Sequence, residues 1–233
     1  MQVIAHRGWS EIAPENTLLA FDAATTTSCR GIELDLRLSA DGVVIACHDA
    51  TLARFGGNSR PISRQMLQEL QAQVAVPTLT AILERYTDLE LWLELKPHGG
   101  PAWTERLVQQ VCTAVKRHRE RVRILCFQPT VLAAVARRDR QLRLVRNTET
   151  IPADPRWFAR QKALGITTVD ADQRVWTAAA VAAARREGLQ IATYTVDRVA
   201  DLRRCHALGL DYVISNRPQW ACTWLTAHGG PDA

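Results

Sequence analysis

The chain has 233 residues, of which 47% are hydrophobic and 23% are charged, and this composition excludes a disordered protein. Its longest apolar stretches span only about six to eight residues, well short of the roughly 20 that a membrane-spanning helix needs. Twenty-nine Lys and Arg against 24 Asp and Glu give a net charge of +5, which mildly favours anionic small molecules as ligands.

These features predict a cytoplasmic protein without a nucleic-acid partner. The N-terminal segment MQVIAHRGWS lacks the basic start, apolar stretch and small-residue cleavage site of a secretory signal. Much of the positive charge lies in KRHRERVR and RRDRQLRLVR, which contain no interleaved aromatic residues and are typical of solvated helix ends. The six cysteines form no CxxC pair, and we interpret at least Cys47 and Cys126 as buried thiols.

Short runs rich in Val, Ile, Leu and Thr recur along the chain, and most are followed by a stretch with helical spacing. Eight of these runs are predicted strands: Val3–His6, Gly31–Leu36, Glu90–Leu95, Arg123–Phe127, Leu142–Val145, Thr167–Asp170, Gln190–Tyr194 and Tyr212–Ile214. Eight strand–helix units at this length predict a (β/α)8 TIM barrel, one domain over residues 1–233. An open doubly wound sheet is the main alternative.

One irregularity interrupts this alternation after the second strand. The turn at Ala40–Gly42 leads into Val43–Cys47, which we interpret as an antiparallel strand next to the barrel. The segment Asp49–Val76 then forms a small insertion with a short helix at Arg64–Ala72, and we expect it to lie over one end of the barrel.

Helix boundaries are also indicated locally. Helices are predicted at Thr104–His118 and Thr177–Glu187, and Asn16 is a candidate N-cap for the first helix. The tail from His228 onward is expected to fray.

Acidic residues occupy alternate positions on two neighbouring strands. In GIELDL the period of two places Glu33 and Asp35 on one face, and LWLELK repeats this pattern with Glu94 and Lys96. Carboxylates gathered inside a barrel need a cation among them, and three oxygen donors suit Mg²⁺ or Ca²⁺ better than zinc. Neutralisation by Arg37 or Lys96 is the alternative for each single acid, but the three acids together favour a metal site.

Two histidines and a second cation stand at the same predicted strand ends. His6 and His48 can serve as a general base and a general acid near neutral pH. Arg7 can grip a phosphate through two hydrogen bonds, while Lys96 acts as a point charge, and both can also balance the acids. A metal, an acid–base pair and anion contacts favour displacement at a phosphate ester, and no GxSxG, GxGxxG or GxxxxGK[ST] motif supports another chemistry.

The segments AHRGWSEIAPENTLLAF, IELDLRLSADGVVIACHD and LELK resemble, in order and strand context, successive motifs of the glycerophosphodiester phosphodiesterase family. The similarity continues through VPTLTAILE, CFQP, TYTVD and DYVISNRP, so it covers nearly the whole chain. It implies a TIM barrel that uses a divalent metal to hydrolyse glycerophosphodiesters, such as deacylated phospholipids, to sn-glycerol 3-phosphate and an alcohol. The compact form is similar to the cytoplasmic bacterial members.

The resemblance also implies roles for seven side chains: His6 and His48 as the acid–base pair, Arg7 and Lys96 as phosphate contacts, and Glu33, Asp35 and Glu94 as metal ligands. Glu15 of the PENT motif lies near the site in the family, although capping and ordering of the first helix explain it equally well. One histidine would remove a proton from the attacking oxygen, either of water or of the glycerol 2-hydroxyl, and the other would protonate the leaving alcohol.

Three positions depart from the family's pattern. Ala53 stands where an acid is common in the LDR segment, Asp197 where Asn often follows TV, and Asn216 where Asp often precedes the last Pro. We expect these departures to alter substrate preference more than chemistry. Trp92 and Trp176 are candidate apolar walls for the substrate, with buried packing favoured for Trp92.

Two other functions stay open at this point. A phospholipase D-like or lysophospholipid phosphodiesterase would use the same site with an apolar trough, and a hydrophobic rim on the insertion would favour it. A non-catalytic phosphodiester-binding protein on the same fold is less favoured, because every group that the reaction needs is present in the sequence.

Overall fold

Strands and helices alternate along the chain in a computed structural model that describes residues 1–154 and 156–228. The strands are β1 (Gln2–His6), β2 (Gly31–Leu38), β3 (Val44–Ala46), β4 (Glu90–Leu95), β5 (Val122–Cys126), β6 (Arg143–Thr148), β7 (Ile166–Asp172), β8 (Gln190–Tyr194) and β9 (Tyr212–Ser215). The helices are α1 (Leu18–Thr25), α2 (Leu67–Gln71), α3 (Leu79–Arg85), α4 (Pro101–Val115), α5 (Pro129–Arg138), α6 (Trp157–Ala163), α7 (Ala178–Arg186), α8 (Val199–Ala207) and α9 (Pro218–His228).

Eight of the strands form a closed parallel barrel in the order β1, β2, β4, β5, β6, β7, β8 and β9. The ring closes because β1 pairs in parallel with both β2 and β9. The predicted TIM barrel is therefore confirmed, and the open sheet is excluded. Each of the eight predicted strands overlaps one barrel strand.

The insertion after β2 begins with the predicted antiparallel strand. Leu36 pairs with Ala46 and Leu38 with Val44, which attaches β3 to the end of β2. The helix in the insertion is shorter than predicted and covers only Leu67–Gln71. The apolar side chains of this segment pack into a cluster of their own: Ile45, Cys47, Leu52, Ile62, Leu70 and Val76.

Helix starts follow simple capping chemistry, with one correction. Thr17, and not the predicted Asn16, caps α1, because the Thr17 hydroxyl accepts a hydrogen bond from the Ala20 N–H. Helix α4 begins at Pro101, three residues before the predicted start, since proline fits the first turn of a helix without losing a hydrogen bond. Thr177 caps α7 in the same way as Thr17 caps α1.

No helix in the two described ranges is long and apolar enough to cross a membrane. The tail that was predicted to fray starts at His228, which is the last residue of α9. The rest of this tail lies outside the described residues.

Side chains inside the barrel form three layers. The middle layer is apolar and consists of Ile4, Trp92, Leu125, Val145, Ala192, Tyr212 and Ile214. Outward-facing side chains of the same strands, such as Leu91 and Leu93 of β4, pack against the helices. The predicted alternation along β2 and β4 is confirmed, and it leaves the acidic residues inside.

The floor of the barrel is a buried polar layer centred on Arg123, which is 3% exposed. Its guanidinium donates hydrogen bonds to Thr168 at 3.0 Å, to Gln190 at 2.9 Å and to the Tyr212 hydroxyl at 2.8 Å. Glu90 lies 3.4 Å away and supplies the compensating charge. Because each of these groups has a partner, a cation can be buried here at the N-terminal ends of the strands.

Arg123→Met should lower the free energy of unfolding by about 2 to 4 kcal/mol, because it removes one of the two cations paired with the buried Glu90 carboxylate and the donor to Thr168, Gln190 and Tyr212. Urea unfolding measures the loss. Arg60→Met is the matched control, since the Arg60–Glu69 pair is exposed and such pairs contribute about 0 to 1 kcal/mol. Equal effects of the two substitutions would contradict the prediction.

Candidate active site

The third layer of the barrel lies at the C-terminal ends of the strands and surrounds a cavity of about 280 Å³. Its lining is mainly polar and aromatic: His6, Arg7, Glu33, His48, Glu94, Lys96, Leu125, Phe127, Asn147, Asp170, Tyr194, Thr195 and Ile214. Six of the seven predicted site residues are in this set. The seventh, Asp35, lies beside Glu33 and Glu94 in the same layer and is 1% exposed.

The three predicted metal ligands come together as the alternation of β2 and β4 requires. Oxygens of Glu33, Asp35 and Glu94 lie within 4.8 Å of one another, and all three residues are buried. Burial and the neighbouring negative charges raise the pKa of Glu33 well above its ordinary value. Burial also raises the pKa of Glu94. The three carboxylates therefore repel one another strongly when no cation lies between them.

Two fixed cations compensate only part of this charge. Lys96 Nζ lies 2.6 Å from Glu94 Oε1 and 3.1 Å from Asp35 Oδ1, and Arg7 Nε lies 3.1 Å from Asp35 Oδ2. Burial alone would raise the pKa of Asp35, but these two cations outweigh it and lower the pKa. The ion pair of Lys96 with Asp35 Oδ1 lacks hydrogen-bond geometry, so this oxygen accepts no hydrogen bond from any described residue. A cluster of carboxylate oxygens with net negative charge fits a hard divalent cation such as Mg²⁺ or Ca²⁺.

Arg7 is held by its backbone as well as by its side chain. The residue has a φ of +57°, which is uncommon for a residue other than glycine, and its N–H donates to Glu33 Oε2 at 3.2 Å. Its guanidinium donates to Glu15 Oε1 at 2.8 Å. Glu15 therefore orients Arg7 and does not cap α1. Gly8 must be glycine, because a Cβ at its φ of +84° would lie 2.6 Å from the backbone of Ala20.

Asn16 fixes the orientation of Asp35. Its side-chain Nδ2 donates a hydrogen bond to Asp35 Oδ2 at 2.8 Å, and its Oδ1 accepts one from the Asp35 backbone N–H at 3.1 Å. Asn16 is buried and has a φ of +56°, a conformation that asparagine tolerates better than most residues. The asparagine of PENT is thus a positioning residue of the acidic cluster.

A chain of hydrogen bonds orients His6. Its Nδ1 lies 2.7 Å from Asn216 Oδ1, and Asn216 Nδ2 donates to Asp197 Oδ2 at 2.7 Å. Because Asp197 can only accept, the Asn216 oxygen faces His6, and His6 Nδ1 must be the donor. Burial and the Arg7 charge lower the pKa of His6 to about 4, so the imidazole is neutral near pH 7. Its Nε2 lies 3.8 Å from Glu33 Oε2.

His48 is oriented by a carboxylate. Its Nδ1 lies 2.8 Å from Asp49 Oδ1, and Arg54 Nε donates to Asp49 Oδ2 at 2.7 Å. Arg54 also donates to Glu15 at 2.7 Å, so one guanidinium from the insertion connects the partners of His48 and Arg7. Ala53, which replaces an acid common in the family, is directly followed by this arginine.

One expectation about this region is wrong, and another stays a prediction. Asp197 and Asn216 lie behind His6 and orient it, so their effect on substrate preference is still a prediction from the sequence. Trp176 is not a wall of the cavity: it is 2% exposed, donates to the Ala192 carbonyl and stacks on Phe158 outside the barrel. Trp92 is buried in the middle layer, as expected.

Comparison with known proteins identifies the family. Residues 6–220 match the model of the glycerophosphoryl diester phosphodiesterase family. The chain belongs to this family. The recognition made from the sequence motifs and the prediction that the protein is an enzyme of this family are confirmed.

Relatives of the enzyme share its length as well as its motifs. The putative glycerophosphodiester phosphodiesterase YhdW of Bacillus subtilis is 28% identical, and the match covers 94% of this chain and 96% of the relative. A glycerophosphodiester phosphodiesterase of Caldanaerobacter subterraneus is 26% identical over 93% of this chain and 94% of its own length. An Oleispira antarctica phosphodiesterase, solved with the product sn-glycerol-3-phosphate, has a TM-score of 0.89 at 26% identity and covers 97% of each chain.

The charge of Glu33 should destabilise the metal-free enzyme. Because its pKa is raised in the folded state, the folded protein binds a proton that the unfolded chain has lost, so stability falls as pH rises above about 4.5. Glu33→Gln should therefore raise the free energy of unfolding at pH 7 by about 1 to 2 kcal/mol. Urea unfolding with a chelator present measures it. The control is Glu84→Gln, on the exposed side of α3, and a Glu33 variant no more stable than this control would refute the prediction.

Proposed function

We propose that this enzyme hydrolyses glycerophosphodiesters to sn-glycerol 3-phosphate and an alcohol, with a divalent metal and two histidines as the acid–base pair. Family membership over residues 6–220 supports the hydrolysis. The observation that carries the proposal is that three buried carboxylates, both imidazoles and both cations surround one cavity. A cytoplasmic location and the lack of a nucleic-acid partner stay predictions from the sequence.

Glu33, Asp35 and Glu94 would hold the metal, for which Mg²⁺ and Ca²⁺ are the expected ions. When bound, it supplies positive charge that offsets the negative charge of the phosphate and favours attack at phosphorus. Asn16 would keep Asp35 in place for this role through its two hydrogen bonds.

Arg7 and Lys96 would bind the phosphate. Arg7 is fixed by Glu15 and by the Glu33 carboxylate, so its guanidinium is oriented before the substrate arrives. Lys96 reaches the cavity from the end of β4 and lies 2.6 Å from Glu94. Cations held in place before binding stabilise developing negative charge without a cost of reorganisation.

The surroundings of the two histidines suggest different roles. His6 is neutral near pH 7 and donates through Nδ1 to Asn216, which leaves Nε2 free to accept a proton from the attacking oxygen. His48 Nδ1 is held by the Asp49 carboxylate, which leaves Nε2 as the ring nitrogen that can face the substrate, and we assign to it the proton transfer to the leaving alcohol.

The insertion favours a substrate without acyl chains. Its apolar residues pack into their own cluster, and the side chains that it places next to the site are those of Asp49 and Arg54. Of the large hydrophobic side chains that the structure describes in the insertion, Met66 alone is exposed, so the insertion has no extended apolar rim. A charged rim suits water-soluble glycerophosphodiesters better than lysophospholipids.

His6→Ala and His48→Ala should each lower the turnover of a glycerophosphodiester by at least about a hundredfold, the usual loss when a general acid or base is removed. Release of sn-glycerol 3-phosphate measures the effect. His118→Ala is the control, because His118 lies at the other end of the barrel, just before β5. Near-normal turnover of either site variant would refute the acid–base assignment.

A diester with a p-nitrophenol leaving group separates the two roles. p-Nitrophenolate leaves without protonation, so the defect of His48→Ala should shrink at least about tenfold with this substrate, whereas that of His6→Ala should persist. The opposite pattern would reverse the roles.

Metal dependence predicts a response in both stability and activity. A chelator should abolish turnover, and Mg²⁺ or Ca²⁺ at a hundred times its Kd should stabilise the wild-type protein by about 2.7 kcal/mol. Glu94→Gln should weaken this response in thermal unfolding, because it removes one oxygen ligand charge. Full activity in chelator would contradict the proposal.

A further inference from the structure

The wall of the cavity opposite the acidic cluster contains a second group of buried polar atoms. Asp170 on β7 is 1% exposed, and Asn147 on β6 is 3% exposed. In the ring of eight strands, β7 lies directly across from β2, which carries Glu33 and Asp35. Both residues line the cavity but have no part in the chemistry described above.

Three acceptor atoms on this wall lack a donor. Among the described residues, none donates a hydrogen bond to Oδ1 or Oδ2 of Asp170 or to Oδ1 of Asn147. The two residues are register partners on adjacent strands, whose axes are about 4.8 Å apart, so the three oxygens belong to one small surface. Buried acceptors without donors are rare and cost free energy unless a ligand or water satisfies them.

An aromatic ring completes this surface. The Tyr194 hydroxyl donates to the Thr148 carbonyl at 2.9 Å, which fixes the ring at the cavity wall. Phe127 packs edge-on against Tyr194 with the ring centroids 6.0 Å apart. A fixed aromatic face next to a carboxylate is a common environment for an organic cation.

With all four acids of this layer ionised, its charges favour a cation here. Four buried carboxylates, Glu33, Asp35, Glu94 and Asp170, face two cations, Arg7 and Lys96. A divalent metal brings this layer to neutrality, and the phosphodiester then adds one negative charge. Among the described residues, no Lys, Arg or His pairs with Asp170, and both of its oxygens lack a partner. Burial and the charge of Glu94 raise the pKa of Asp170 well above its ordinary value, so a cation that binds next to it would favour the ionised form. Asp170 does not belong to the carboxylate group that lies within 4.8 Å, so the metal ligands are a separate set.

We propose that Asp170, Asn147 and Tyr194 bind the leaving alcohol of substrates in which this alcohol carries a primary ammonium group, as in sn-glycero-3-phosphoethanolamine. This inference rests on the proposed function. An ammonium offers three N–H donors to the three unpaired oxygens and one positive charge to the Asp170 carboxylate. The glycerol hydroxyls would satisfy the acceptors but would leave the charge of Asp170 without compensation.

The test compares three diesters that all yield sn-glycerol 3-phosphate under the same saturating metal concentration. Their leaving alcohols are ethanolamine, choline and glycerol. The wild-type kcat/KM should be about tenfold or more higher for the ethanolamine diester than for the glycerol diester. The choline diester should fall below the ethanolamine diester, because a quaternary ammonium has the charge but no N–H donors.

Asp170→Asn should remove this preference, because it should lower kcat/KM for the ethanolamine diester at least about tenfold more than kcat/KM for the glycerol diester. The control is Asp172→Asn on the same strand, whose carboxylate is paired with the exposed Arg174 and does not line the cavity. Circular dichroism checks that both variants fold, and if Asp170→Asn does not, the three wild-type values decide alone.

The proposal is overturned if the wild type hydrolyses the ethanolamine and glycerol diesters equally well. It is also overturned if Asp170→Asn lowers kcat/KM equally for both, which would place Asp170 at the glycerol or at the metal. Failure to release sn-glycerol 3-phosphate from any of the three diesters would instead remove the proposed function, and this inference with it.

Discussion

Mutual repulsion of buried carboxylates at the mouth of the barrel is the constraint on which the arrangement of the site depends. Glu33, Asp35 and Glu94 are brought together by strand alternation alone, and the barrel holds them there. Arg7, Lys96 and the proposed metal offset this negative charge, and the hydrogen bonds of Asn16 hold Asp35 in place. The site therefore lowers the free energy of unfolding. The deeper apolar layer and the packing of the helices must compensate for this loss.

Positions 197 and 216, where the sequence departs from the pattern of the family, meet next to His6. Asn216 donates a hydrogen bond to Asp197, and its side-chain oxygen contacts His6 Nδ1. A neutral amide, and not a carboxylate, therefore lies next to the imidazole, which fits the low pKa of His6, whose main cause is burial.

Features set by local pattern could be predicted from the sequence, and features set by barrel closure could not. The period of two in GIELDL and LWLELK was sufficient to predict an inward-facing acidic cluster, which the structure confirms. Asn216 meets His6 across 210 residues, and Glu15 meets Arg54 across 39, so neither contact has a local signal. Asp170 has such a signal, because it is the acid at the end of the otherwise uncharged run ITTVD, on the strand opposite β2.

In the described residues, the polar layer around Arg123 closes the barrel at the N-terminal ends of the strands. The cavity therefore opens at the C-terminal ends. Apolar side chains fill the middle of the lumen, and a saturated set of hydrogen bonds fills its lower end. Whatever reacts in the cavity must enter and depart by the same route. Both products of one turnover consequently leave through the same opening.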